Sequence, residues 1–82
     1  MKLYKISQQE NNDYDTYRSA VVAAPDEETA RFMNPASGGP VYKWNDIYNS
    51  WCSSPDLVLV ELLGTAKPGT KTGVIVSSFN AG

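Results

Sequence analysis

Apolar positions cluster into two runs in the C-terminal part of the chain, and both predict strands. Residues 56–64 form the most apolar stretch, and their aliphatic and β-branched side chains extend over the length of a strand rather than of a helix. Residues 73–79 form a second such run, after a turn-forming segment that contains Pro68 and Gly69. We therefore predict that the two strands pair as a hairpin in the middle of a small sheet.

Two more strands are predicted in the N-terminal part. Residues 2–7 alternate between polar and apolar side chains, and residues 18–24 form another apolar run. The polar connection between them, 8–15, is longer than a tight hairpin turn, so we expect it to protrude from the sheet.

A short helix is predicted at residues 26–33, after the second strand. Pro25 suits the first turn, and the carboxylates at 26–28 complement the positive end of the helix dipole. Asn34 and Pro35 end the helix, because proline cannot continue it. A helix of about two turns is unstable alone, so we expect it to pack on one face of the sheet.

The segment after this helix contains large aromatic residues. Trp44, Ile47, Tyr48 and Trp51 recur at the spacing of one helix face, which predicts a second short helix near 45–50. These side chains either pack against the sheet or form a binding surface, and the spacing alone does not distinguish the two.

These elements predict a single α+β domain over residues 1–82, ordered β-β-α-α-β-β. We expect a four-stranded, mostly antiparallel sheet with one main short helix packed on one face. Its open edges make a homo-oligomer a candidate assembly. The side chains expected in the core are Val22, Ala30, Met33, Val58, Val60, Leu62 and Ile75.

The amino-acid composition argues against several classes of function and site. The chain has no histidine, which removes Ser-His, Cys-His and His-metal sites together, so we expect neither an enzyme nor a metal or cofactor site. A net charge of −2 has the wrong sign for a general nucleic-acid binder, so direct nucleic-acid binding is not expected. No apolar run approaches the roughly 20 residues of a membrane span, and the N-terminus lacks the apolar core of a signal peptide. We therefore expect a cytoplasmic protein that does not bind membranes.

Two local patterns suggest chemistry that their spacing does not support. Residues 64–73 resemble a phosphate-binding loop, but Thr70 separates the glycine from the lysine, and a strand follows instead of a helix. An acidic pair in the first loop resembles the start of a calcium loop that lacks its central glycine and terminal glutamate. The lysines that remain candidates for contact with an anion are Lys67 and Lys71.

Two isolated side chains are expected to have no catalytic role. Cys52 lacks an activating base and is expected to be a structural thiol. Glu61 lies inside the most apolar strand, and we expect it to face water on the less buried face of the sheet.

The candidate binding surface combines aromatic and acidic side chains from the first loop and from the segment after the helix. Aromatic residues dominate binding hot spots because they bury a large area at a low entropic cost. The residues predicted to contact a partner are Asp13, Tyr14, Asp15, Tyr17, Tyr42, Trp44, Tyr48 and Trp51.

Several short patterns resemble those of a known group of proteins. They are Tyr14-Asp15-Thr16-Tyr17-x-Ser19-Ala20-Val21-Val22-x-Ala24, Glu28-x-Ala30-Arg31, Asn34-Pro35, and a closing Gly73-Val74 followed by Ser78-Phe79-Asn80-Ala81-Gly82. In these patterns the chain resembles small phage- and prophage-encoded proteins of uncharacterised function. Compact, mildly acidic phage proteins without catalytic motifs are often stoichiometric inhibitors of host defence.

The resemblance implies an anti-CRISPR-like inhibitor that binds a host defence protein, such as a nucleic-acid-binding effector, in the bacterial cytoplasm. A first alternative is an oligomeric sponge that sequesters a nucleotide second messenger between subunits. Its aromatic residues would stack on the base, and Lys67 or Lys71 would lie near the phosphate. A second alternative is a virion or structural phage protein.

Overall fold

The structure is a computed structural model that describes residues 1–80 and contains the strands and the main helix in the predicted order. Ala81 and Gly82, the last residues of the pattern that begins at Gly73, lie outside the described residues. The elements are β1 (Lys2–Ser7), β2 (Thr16–Ala24), α1 (Glu27–Arg31), two 3-10 helices (Trp44–Asp46 and Pro55–Leu57), β3 (Leu59–Thr65) and β4 (Gly73–Asn80).

The sheet has four strands in the order β3-β1-β2-β4, and every neighbouring pair is antiparallel. The predicted four-stranded sheet of a small α+β domain is therefore confirmed. The predicted hairpin between β3 and β4 is wrong, because these strands form the opposite edges of the sheet. The central pair is β1 and β2, whose register runs from Lys2 opposite Ala24 to Ser7 opposite Ser19.

The connection between β3 and β4 crosses one end of the sheet instead of making a tight turn. β3 ends opposite Lys2 and β4 begins opposite Ala23, so residues 66–72 span the central pair. A segment of this length reaches roughly 23 Å when extended, which exceeds the about 14 Å across three strand spacings. At the start of the crossing, the Ala66 N–H donates to the Met1 carbonyl over 3.1 Å.

One face of the sheet is covered by α1 and by the irregular segment that leads to β3, and the core lies between these layers. The predicted burial of Val22, Ala30, Met33 and Val58 is confirmed, whereas Val60 is only partly buried. The buried core residues are Tyr4, Ile6, Ala20, Val22, Ala24, Ala30, Met33, Trp51, Cys52 and Val58.

Two residues predicted in the core lie at the surface instead. Leu62 is 58% exposed and Ile75 is 54% exposed. Leu62 lies opposite Tyr4 but on an edge strand, at the margin of the covered face. Ile75 has no partner in the register, because Val21 and Val22 pair with the residues on either side of it. Burial therefore follows the position of a strand in the sheet and not its hydrophobicity.

Local hydrogen bonds fix α1 where the sequence predicts a helix. The Asp26 carboxylate caps the helix by accepting the Thr29 N–H over 2.8 Å. Hydrogen bonds from Thr29 hold the pKa of Asp26 below its ordinary value. After Arg31 the chain folds back, and the Val41 N–H donates to the Phe32 carbonyl over 2.7 Å. The helix is therefore shorter than the predicted 26–33.

The second predicted helix is reduced to a turn of 3-10 helix at Trp44–Asp46, and further turns follow it. The Trp51 N–H donates to the Ile47 carbonyl over 2.8 Å within these turns. The large side chains of this segment consequently do not share one face. Trp51 is fully buried, whereas Tyr48 is 51% exposed.

Candidate functional site

An open cleft of about 780 Å³, here called the helix-side cleft, lies beside α1 and the loop that follows it. A cleft of this size accommodates a small ligand or a few side chains of a partner. Its lining residues are Glu28, Thr29, Phe32, Met33, Gly38, Gly39, Pro40, Val41, Tyr42, Trp44, Pro55 and Thr72.

Aromatic side chains form much of the cleft wall. The rings of Phe32 and Trp44 meet edge to face, with centroids 6.0 Å apart and an interplanar angle of 74°. Both residues are partly buried, and Trp44 also packs against the core. Tyr42, by contrast, is 87% exposed at the rim. A large aromatic side chain in this position is free to contact a bound partner.

Backbone hydrogen bonds hold the loop that forms the other wall. The Asn34 N–H donates to the Gly39 carbonyl, and the Gly38 N–H donates to the Asn34 carbonyl, each over 2.8 Å. The Asn34 side-chain oxygen accepts the Ala36 N–H over 2.8 Å. Because the loop satisfies its own backbone groups, this wall is formed before any ligand binds.

Gly38 allows the same loop to lie against the start of β4. Its φ is +79°, a backbone conformation that residues other than glycine rarely adopt. A Cβ atom at Gly38 would lie 3.3 Å from the Val74 backbone nitrogen and 3.4 Å from the Gly73 Cα. The Gly-Gly-Pro sequence at 38–40 is the signal for this close approach.

The electrostatics of the helix-side cleft favour neutral or positively charged groups. Glu28 is the only charged side chain among its lining residues. Lys67 and Lys71, the predicted anion contacts, are exposed on the segment that crosses the sheet, and neither lines the cleft. A phosphate bound in the cleft would therefore lie near the Glu28 carboxylate, and no lysine or arginine lines the cleft to attract it.

The first loop and the residues after Tyr48 form a second, continuous surface, here called the loop surface (residues 8–17 and 48–53). The Asn11 side-chain amide donates to the Tyr48 carbonyl over 2.6 Å. The Glu10 carboxylate accepts both the N–H and the hydroxyl of Ser53, each over 2.8 Å. The structure thus brings together the two aromatic and acidic stretches that the sequence separates.

Gln8 organises the loop surface, although it is not among the residues predicted to contact a partner. Its side chain is almost fully buried, and its amide donates to the carbonyls of Asn11 and Tyr17 over 2.6 and 3.0 Å. Its side-chain oxygen accepts the Asn11 N–H over 2.8 Å. The only signal in the sequence is a glutamine directly after a strand, which is too common to interpret.

The predicted contact residues differ in accessibility. Tyr14 is 73% exposed, and its acidic neighbours Asp13 and Asp15 are also exposed. Tyr17 is half-buried, and the centroid of its ring lies 4.7 Å from that of the Phe79 ring. Including Trp51 was wrong, because no part of its side chain reaches solvent.

Cys52 and Glu61 occupy opposite environments. Cys52 is buried in the core, and burial raises the pKa of its thiol to about 11. Such a thiol is a poor nucleophile, because little of it is thiolate at neutral pH. Glu61 is exposed on edge strand β3.

Within residues 1–80, no group of three or more His, Cys, Asp or Glu side chains could hold a metal ion. No helix in that range is long and apolar enough to cross a membrane.

The chain was compared with known proteins. No protein-family model matches it. Searches of curated proteins and of solved structures also found no match.

Proposed function

We propose that this chain is a non-catalytic binding protein that recognises another protein through the helix-side cleft and the loop surface. The observation that carries the proposal is the exposed Tyr42 beside an apolar cleft whose walls are already formed. Exposed aromatic side chains next to a pocket are typical anchors of protein interfaces. The sequence resemblance to small phage proteins supports a finer proposal, which is inhibition of a bacterial anti-phage defence protein in the host cytoplasm.

The distribution of charge supports a basic partner. Glu28 lies in the cleft, and Asp13 and Asp15 are exposed on the loop surface. An acidic surface of this kind attracts a partner with a basic, nucleic-acid-binding groove and speeds the encounter. A nucleotide sponge is less well supported, because Glu28 lines the helix-side cleft, whereas Lys67 and Lys71, the predicted anion contacts, do not.

The experiment is a phage-protection assay in bacteria with defined defence systems, combined with capture of the inhibited protein. Wild type is expected to restore phage infection in one of the defended strains. Tyr42→Ala and Glu28→Lys are each expected to weaken capture by at least about tenfold, as loss of a hot-spot contact does.

The matched control is Leu62→Ala, which removes a half-exposed apolar side chain outside both surfaces and is expected to inhibit like wild type. If Tyr42→Ala and Glu28→Lys remain folded and inhibit fully, the cleft is not the contact surface. If wild type restores infection in no defended strain, the proposed class of function is wrong.

A further inference from the structure

Large apolar side chains that reach solvent are concentrated on the two edge strands. Their exposed fractions range from 45% to 59%, and the residues are Leu59, Leu62, Leu63, Ile75, Val76 and Phe79. Soluble proteins usually protect sheet edges with charged residues or proline, since an unguarded edge pairs readily with another strand. The edges of this sheet are therefore candidates for pairing.

β4 is the less guarded of the two edges. Its eight residues, Gly73–Asn80, include no charged residue and no proline, whereas β3 carries Glu61. β2 is its only neighbour in the sheet that the structure describes, so one row of β4 backbone groups faces outwards. The pairing with β2 has one register shift at Ile75, near the start of β4, and a second at Arg18 of β2, so β4 has no extra residue of its own after Ile75 and its outer edge extends to Asn80.

We infer that β4 pairs in antiparallel orientation with β4 of a second copy of the chain. Antiparallel pairing of a strand with itself follows a twofold axis and closes after two copies. An uncharged strand suits such pairing, because no like charges face each other across the axis. Pairing of β3 with β4 would instead be head-to-tail, without a twofold axis, and could continue from copy to copy without closing.

The sequence of β4 favours a register with the axis at Ser77. Each Ser77 then lies opposite Ser77 of the second copy, and Ile75 lies opposite Phe79 of the second copy. Pairs of an aromatic and a β-branched residue stabilise neighbouring strands. Ile75, which has no partner in β2, thereby gains one, and Phe79 gains a second neighbour in addition to Tyr17.

The first test is the mass of the protein in solution, measured by sedimentation equilibrium at high micromolar concentration. Wild type is expected to be a dimer. Ser77→Lys places two ammonium groups at the axis and is expected to halve the mass, whereas Leu59→Lys, on the opposite edge, is expected to remain dimeric. Both side chains are exposed, so each variant should keep its fold, which circular dichroism checks. A monomeric wild type, or a dimer that only Leu59→Lys dissociates, overturns the inference.

The second test addresses the register by oxidative cross-linking. Directly opposite Cβ atoms lie roughly 4.5–5.5 Å apart in antiparallel strands, close enough for a disulfide after a small shift. Ser77→Cys is therefore expected to form a covalent dimer, and the exposed loop variant Ser37→Cys is the control. Native Cys52 is buried and should not interfere. Equal cross-linking of both variants, or none of Ser77→Cys, overturns the assigned pairing.

Discussion

At the scale of single residues, the buried Cys52 thiol makes the stability of the fold depend on pH. Burial raises the pKa of Cys52 from 9.0 to about 11, so the unfolded chain loses this proton first as the pH rises. The free energy of unfolding is therefore expected to fall between pH 9 and pH 11 because of Cys52. This contribution amounts to roughly 3 kcal/mol at its limit.

The measurement is urea unfolding at several pH values, for wild type and for Cys52→Ala. Cys52→Ala is less stable at neutral pH because it leaves a small cavity, but it should lose less stability than wild type above pH 9. The two proteins share every other side chain, so the difference between their pH profiles reports on Cys52. Identical pH profiles would show that Cys52 ionises as freely in the fold as outside it.

At the scale of elements, hydrogen bonds from Arg31 connect α1 to the segment before β3. Its guanidinium donates to the Pro55 carbonyl over 3.2 Å and to the Val58 carbonyl. Arg31→Met keeps the apolar stem but removes both hydrogen bonds, so unfolding free energy should fall by about 1–3 kcal/mol.

The control for this prediction is Glu27→Gln. Glu27 lies 3.9 Å from the Arg31 guanidinium, and its side chain is 64% exposed, so the ion pair is screened by water. Its loss should change the unfolding free energy by less than about 0.5 kcal/mol. If Arg31→Met and Glu27→Gln cost the same, the carbonyl contacts do not stabilise the fold. Thermal and urea unfolding measure both variants.

The elements that could be predicted from the sequence are those with local causes. Pro25, the carboxylates at 26–28 and the break at Pro35 locate α1 within a few residues, and the structure adds that Asp26 caps it. The cleft could not be predicted, because Phe32 and Trp44 meet only after the intervening loop folds back. The spacing of Trp44 and Trp51 predicts a common helix face. The helix ends after one turn, however, so Trp44 is only partly buried whereas Trp51 is fully buried.

At the scale of the whole molecule, stability should depend on where a side chain lies across the sheet. Ile6 belongs to a central strand and is fully buried, so Ile6→Ala should cost about 2–5 kcal/mol. Leu62 belongs to an edge strand and is largely exposed, so Leu62→Ala should cost less than about 1 kcal/mol. Urea unfolding of both variants checks the contrast. A loss as large for Leu62→Ala as for Ile6→Ala would place β3 inside the sheet.

The strand order could not be predicted from the sequence for a related reason. β3 and β4 are the most apolar strands and are close in sequence, which favours them as a central hairpin. The register, however, places β1 between β2 and β3, and β2 between β1 and β4. Hydrophobicity indicates that a segment is a strand, but not which neighbour it pairs with, since pairing depends on how the whole chain closes.

The position of β3 and β4 at opposite edges has a consequence for how the chain folds. The native pairings bring Lys2 opposite Thr65 and Thr16 opposite Asn80, so both edges close only after nearly the whole chain is ordered. Such non-local pairings form slowly, because the entropy of a long loop is lost before its contacts are made. In the meantime the two apolar segments are free to form the hairpin that their sequence favours. Such a hairpin would compete with the native sheet, because β3 and β4 would have to separate before β1 and β2 could lie between them.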